Sequence, residues 1–257
     1  MQKLMKLFAL LALLLAHISQ VAQATARPPN LGFISSDGQA AWAFGASGNP
    51  DTHTPHMDRL AAEGMVMENA FSVTPGCSPA RAGRLTGHYA SRHRTLDFTP
   101  PPQHAWYRSD RPVGLDPETP TFPRILAAAG YDTAPIGKSP PGDWTDDPQR
   151  RFHPTRFGCR LFTGLTGGVT KPRNPDLEKT GEIKSFNGLT DDILTDVAIA
   201  YLESSAAAGS GPPFLLGLHS RAPHHEWLPV ADEDWQVYQN LDPTLPQPDC
   251  ASMSSPE

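Results

Sequence analysis

Short apolar runs that end in turn residues alternate along this chain with segments of helical period, and that alternation commits it to a sheet covered by helices. Residues 30–36 are such a run, closed by Asp37-Gly38, and predict a buried strand of a parallel sheet. Thr54-Pro55 then supplies an N-cap and a first-turn proline, with Met57, Leu60 and Ala61 on one helical face and Gly64 as the stop. Residues 65–71 read as a second strand. A helix opens at Cys77, another spans 121–129 and closes at Gly130, and 131–136 returns as a strand. In 190–203, Ile193, Val197 and Tyr201 recur at four-residue spacing beside Leu194 and Leu202, which predicts an amphipathic helix packed on the sheet. Residues 214–218 follow as a strand. The expected fold class is α/β: a mostly parallel sheet flanked by helices, in one compact domain over residues 27–230.

Proline, glycine and charge crowd residues 99–123 and 139–184, which read as long excursions over the surface or around a site. After Val230 the chain turns acidic and then proline-rich, so 231–257 are expected to be a loose tail. A chain that stops so soon after a strand leaves a sheet expected to continue, and the fold is read as incomplete at its C-terminal end. At the other end, Lys3 and Lys6 precede an apolar run over 7–16 and small-x-small sites around Val21 to Ala26. That pattern is a secretory signal peptide over residues 1–26 rather than a membrane anchor, because the run is shorter than the ~20 residues a bilayer needs. The protein is therefore expected to be exported, periplasmic or secreted, and free of the membrane after cleavage. A formal net charge of -6 with no basic run argues against a nucleic-acid partner. Of three cysteines, Cys77, Cys159 and Cys250, an exported chain would pair two; Cys159 with Cys250 is the pairing left if Cys77 is chemically modified.

In an open parallel sheet, ligands sit beyond the carboxyl ends of the strands. Asp37, Cys77, Lys138, His219 and His224 all follow predicted strands, an acid, a thiol, an ammonium and two imidazoles suited to an anionic substrate. Cys77 precedes Pro79 at a helix start, where free N–H groups and the positive helix end favour sulfate or phosphate. Arg81, one turn on, adds a guanidinium that can fork onto oxyanions. Taken singly, His219 reads equally as a core or loop histidine, His225-Glu226 as solvated surface, and Asp37 as a turn residue.

Taken together, Cys77-Ser78-Pro79-Ala80-Arg81 with Leu85-Thr86-Gly87 resembles the sulfatase signature, in which the cysteine is oxidised to formylglycine. Arg27-Pro28-Pro29-Asn30, Gly48-Asn49-Pro50, Thr54-Pro55-His56-Met57-Asp58-Arg59-Leu60 and Asn69-Ala70-Phe71 are similar to the amino-terminal half of that family. So are Gly130-Tyr131-Asp132-Thr133, Gly137-Lys138, Pro213-Phe214-Leu215 and Ala222-Pro223-His224, and the resemblance runs over residues 28–230. It implies an alkaline-phosphatase-like fold and hydrolysis of sulfate esters by covalent catalysis. The hydrated formylglycine at position 77 attacks sulfur, the alcohol leaves, and the second hydroxyl expels sulfate. It also implies calcium, with Asp37 and residue 77 among its ligands, and catalytic roles for Cys77, Arg81, Lys138 and His224. Of these, Lys138 and His224 would bind substrate. The implied partners are a sulfated small molecule or polysaccharide and a separate maturation enzyme that makes formylglycine.

The chain departs from the family pattern in three places. Ser36-Asp37 stands where relatives carry two adjacent aspartates. Gly137-Lys138-Ser139-Pro140-Pro141-Gly142 keeps a lysine and puts Pro140 at a histidine position. No later strand ends in Asp-Asn or Asp-His. Calcium takes six or more oxygens, so a weak or absent metal site is expected. Two further readings stay open, a catalytically dead binder of sulfated ligands and a truncated gene product. A phosphoesterase of the related superfamily is argued against by the cysteine signature.

Overall fold

Six strands form one sheet in the order β1-β6-β2-β3-β4-β5, in a computed structural model that describes residues 27–99, 105, 114–139, 142, 144–145 and 147–242. The signal-peptide residues 1–26, Pro140 and Cys250 lie outside the described residues, and with Cys250 the Cys159 pairing. At the centre is β6 (Phe214–His219), whose run of apolar residues suits burial on both faces. It pairs in parallel with β1 (Leu31–Ser35) on one side and β2 (Asp132–Gly137) on the other. Beyond β2 come β3 (Thr163–Leu165), parallel to it, and then β4 (Asp176–Lys179) and β5 (Glu182–Ser185), both antiparallel. The sheet is mostly parallel, as expected, with an antiparallel edge.

The helices are α1 (Pro55–Glu63), α2 (Cys77–Thr86), α3 (Ala90–His93), α4 (Phe122–Ala128), α5 (Thr190–Ala207) and α6 (Asp232–Tyr238). One face of the sheet is covered by α5, where Leu194 and Ala198 join Ile136, Leu165, Leu177 and Leu216 in the main buried cluster, flanked by Ile193, Val197 and Tyr201. The four-residue spacing of 193, 197 and 201 thus sets the packed stripe, while Leu202 turns outward and is 39% exposed. On the opposite face, Phe33, Leu85, Phe122, Phe157 and Leu215 line a small apolar cavity between sheet, α2 and α4. The N-cap of α4 is Thr121, whose hydroxyl accepts from Arg124 N and donates to Phe157 O at 2.7 Å.

Four expectations are corrected. Residues 65–71 form no strand: among the described residues β1, an edge of the sheet, pairs with β6 alone. A strand without a ladder partner leaves its backbone polar groups unpaired, and Met65, Met67 and Phe71 stay largely exposed. The Thr54 hydroxyl does not cap α1: it accepts from Gly45 N and donates to Asp58 Oδ1. Within 139–184, read as an excursion, lie β3, β4 and β5. Their strands of three or four residues are too short for period to reveal. The segment from Ala231, read as a tail, opens with α6, whose Tyr238 hydroxyl accepts from His53 N at 2.7 Å.

Candidate active site

The segments that follow β1 and β6 and the start of α2 meet around one cleft of about 890 Å³. The cleft wall includes Asp37, Cys77, Arg81, Arg84, His88 and His224. Cys77 is the first residue of α2, after an extended Gly76, and is partly exposed. Its position aims the side chain at the end of the helix where backbone N–H groups lack intrahelical partners. Arg81 follows by four residues, so the two side chains share a face.

Behind the cleft floor is a buried charge cluster. Lys138 Nζ lies 2.5 Å from Asp37 Oδ2, Arg81 Nη2 lies 3.6 Å from the same oxygen, and Arg81 Nη1 donates to Lys138 O at 3.1 Å. All three residues are buried. Burial pulls the Arg81 guanidinium below its ordinary range, and the charges of Asp37 and Cys77 oppose that pull. Lys138 does not line the cleft; its ammonium stands on Asp37, which does. Backbone bonds fix the cluster: Lys138 N donates to His219 O at 2.9 Å, Ser220 N to Ser35 O at 2.9 Å and Asp37 N to Ala222 O at 3.1 Å.

His224 stands on the turn after β6, and this turn is built by a residue with no place in the sequence reading. Asp191, in the first turn of α5, accepts from Ser220 Oγ at 2.5 Å, Arg221 N at 2.8 Å and Ala222 N at 3.1 Å. Arg221 ties the same turn to Thr170 O at 2.9 Å. His224 Nδ1 donates to His225 O at 2.5 Å, which fixes its proton there and leaves Nε2 without a hydrogen-bond partner among the described residues. The only sign of Asp191 in the sequence is a pair of acids at a helix start, and that pattern favours the helix dipole wherever it occurs.

Of the five residues predicted to gather beyond the strands, Asp37, Cys77 and His224 line the cleft and Lys138 lies behind it. His219 turns inward instead: its ring is buried beside Phe33 at 5.9 Å, with Nδ1 3.1 Å from Ser35 Oγ. Burial, then the charges of Arg84 and Arg81, hold it well below the ordinary histidine range, so it is a neutral core histidine. Cys159 is likewise buried, and burial raises its thiol to about 12, so it is unreactive.

A calcium ion would need six or more oxygen donors at this site. Among the described residues no group of three or more His, Cys, Asp and Glu is placed to hold a metal ion. Asp37, the one acid among the described residues that line the cleft, already has an oxygen taken by the Lys138 ammonium. The described residues do not by themselves fit a calcium site. Nor is any described helix long and apolar enough to cross a membrane.

Comparison with known proteins gives a consistent result. The family profile described as Sulfatase matches residues 29–252. An N-acetylglucosamine-6-O-sulfatase of Bacteroides thetaiotaomicron is 30% identical over 228 residues, covering 87% of this chain and 36% of that protein. An N-acetylgalactosamine-6-sulfatase of Mus musculus is 30% identical over 154 residues, covering 60% and 29%. Among solved structures, a protein in complex with its substrate D-glucosamine-2-N,6-O-disulfate superposes with a TM-score of 0.68 at 29% identity, over 87% of this chain and 40% of that one. The protein Ps i-CgsB, in complex with k-i-k-neocarrahexaose, gives 0.72 at 25% identity, over 84% and 49%. The chain spans about a third of the length of these curated relatives and less than half of these solved chains.

Proposed function

Because the chain belongs to the sulfatase family, we propose that it hydrolyses sulfate esters of sugars at the cleft around Cys77. The observation that carries this reading is the meeting of Cys77, Arg81, Asp37 and His224 on one cleft wall at the positive end of α2. Formylglycine made from Cys77 supplies, once hydrated, the oxygen nucleophile for sulfur. Arg81 forks onto the sulfate oxygens and holds them against the helix N-terminus. Lys138 adds its charge through Asp37 and keeps that carboxylate from swinging into the sulfate. His224 keeps its Nδ1 proton on His225 O, so a second proton taken up at Nε2 makes the ring an imidazolium whose Nε2–H donates to the sulfate or passes to the leaving oxygen.

The substrate class is a sulfated saccharide. The relatives act on or bind hexosamine sulfates and carrageenan oligosaccharides, and the cleft is wide enough for a sugar. Export belongs to the same reading, supported by the leader-like residues 1–26. The test is to produce the full chain with a formylglycine-generating enzyme, detect the aldehyde at residue 77 by mass spectrometry, and assay sulfate release. Release by the matured protein that disappears in Cys77→Ala supports the proposal. Equal rates from the two proteins, with the aldehyde present in the first, overturn it.

A further inference from the structure

Helix α2 carries a third group on the face that presents Cys77 and Arg81. Arg84 follows them by seven and three residues, so the three side chains line one stripe of the helix. Arg84 lines the same cleft and is partly buried. Its guanidinium lies over the Phe33 ring, 4.7 Å from the centroid. A guanidinium held over a ring keeps its N–H donors available to a further partner.

No described carboxylate forms an ion pair with Arg84. Asp37, the acid whose charge it feels, is already held by Lys138 and Arg81. Burial first, then repulsion from Arg81, draws Arg84 down to about 10, as befits a desolvated cation short of counter-charge. Around the cleft floor, Arg81, Arg84 and Lys138 face one carboxylate, Asp37, which leaves an excess of two positive charges. A sulfate ester carries one negative charge and offsets one of them. The other is unmatched, and an anion is the group that a desolvated cation beside a binding cleft selects.

We propose that Arg84 binds a second anionic group of the substrate, so that the cleft selects a saccharide bearing a sulfate or carboxylate in addition to the scissile sulfate. At 1.5 Å rise per residue, the backbone of Arg84 lies roughly 10 Å along the helix from that of Cys77. The arginine side chain shortens the gap to a span met by two substituents on one sugar or on neighbouring sugars. This specificity rests on the sulfate-ester reading above, since it assigns the partner of a sulfate already seated at Arg81.

The test uses the full chain with Cys77→Ala, which cannot turn substrate over, and titrates a hexose 6-sulfate and the matching 2,6-disulfate by calorimetry. The disulfate is expected to bind about tenfold more tightly than the monosulfate, the return for one charge-assisted contact. Adding Arg84→Met, which keeps the chain over Phe33, should erase that preference and leave monosulfate affinity within about twofold; Arg84→Lys should keep part of it. Equal affinity for the two ligands before any change at Arg84, or equal weakening of both by Arg84→Met, overturns the role of Arg84 while sulfate binding stands. Binding of neither ligand overturns the sulfate-ester reading and this inference with it. Should Arg84→Met fail to fold, the comparison of the two ligands on the Cys77→Ala protein decides alone.

Discussion

The Lys138 ammonium lies 2.5 Å from Oδ2 of Asp37, in a layer where the two residues are 2% and 4% exposed. Removing one member of such a pair strands the other charge in a poorly solvated place. Lys138→Met is therefore expected to lower stability by about 3–5 kcal/mol. Adding Asp37→Asn should restore only part of the loss, because it removes a carboxylate whose nearer cation is gone but takes from Arg81 its partner at 3.6 Å. Urea denaturation of the two proteins measures the difference, and a double variant no more stable than the single one would show that packing rather than charge sets the cost.

Asp191 reaches from α5 to the turn after β6 and accepts three hydrogen bonds there, two of them from backbone N–H groups. Asp191→Ala leaves those groups without their acceptor and is expected to cost about 2–3 kcal/mol. The change should also loosen His224, three residues beyond Arg221. Amide exchange at Arg221 and Ala222 should quicken by at least about tenfold, the return of the first 1.4 kcal/mol lost. Unchanged exchange would mean that the turn holds itself.

A second buried polar cluster sets the response to acid. Glu178 accepts from His153 Nε2 at 2.8 Å, Trp144 Nε1 at 3.0 Å and Arg150 Nη2 at 2.7 Å. Burial lowers the His153 value, against the pull of Glu178; burial opposes ionisation of Glu178 too, but its three donors outweigh that and hold it below the ordinary range. A histidine lowered on folding contributes stability that is present above its unfolded value near 6.5 and is lost as pH falls through the folded one. A lowered glutamate contributes stability that is present above its own unfolded value and is lost at still lower pH. Both effects have the same sign, so stability should begin to fall below about pH 6.5 and fall further in the carboxylate range. His153→Gln should flatten part of the upper slope in denaturation measured between pH 7 and 5, the buried His219, also lowered, keeping the rest.

The sequence made the fold class legible because its long elements carry strong period. The stripe of Ile193, Val197 and Tyr201 packs as expected, and β1, β2 and β6 lie within a residue or two of their predicted spans. What escaped was structure defined by partners far along the chain. The apolar period of 65–71 cannot show that no strand lies beside it, and strands as short as β3 give no period at all. In the site, Cys77 and Arg81 were legible because four residues on a helix fix their relation. The bond from Lys138 to Asp37 spans 101 residues and that from Asp191 to Arg221 spans 30, and such pairings appear only in the fold. His219 shows the converse: the position after a strand was right for a ligand, but strand alternation turned the ring into the core.

Gly137 joins β2 to the charge cluster at a point where no side chain fits. Its φ of +103° lies where L-residues are strained, and a Cβ built on it would stand 2.0 Å from His219 O. That carbonyl is the acceptor for Lys138 N, so relief by moving β6 would pull the acceptor from under Lys138 and shift Asp37 with it. Gly137→Ala is therefore expected to cost more than about 4 kcal/mol, in the range reserved for steric and strain failures, and to be recovered as insoluble protein. Gly32→Ala is the matched control: its Cβ meets nothing within 4 Å on β1, and stability should change by less than about 1 kcal/mol. Soluble yield and thermal melting of the two variants measured side by side decide the matter. A well-folded Gly137→Ala protein with an intact melt would show that β2 and β6 separate at this point without loss, and that the close approach does not hold Lys138 in place.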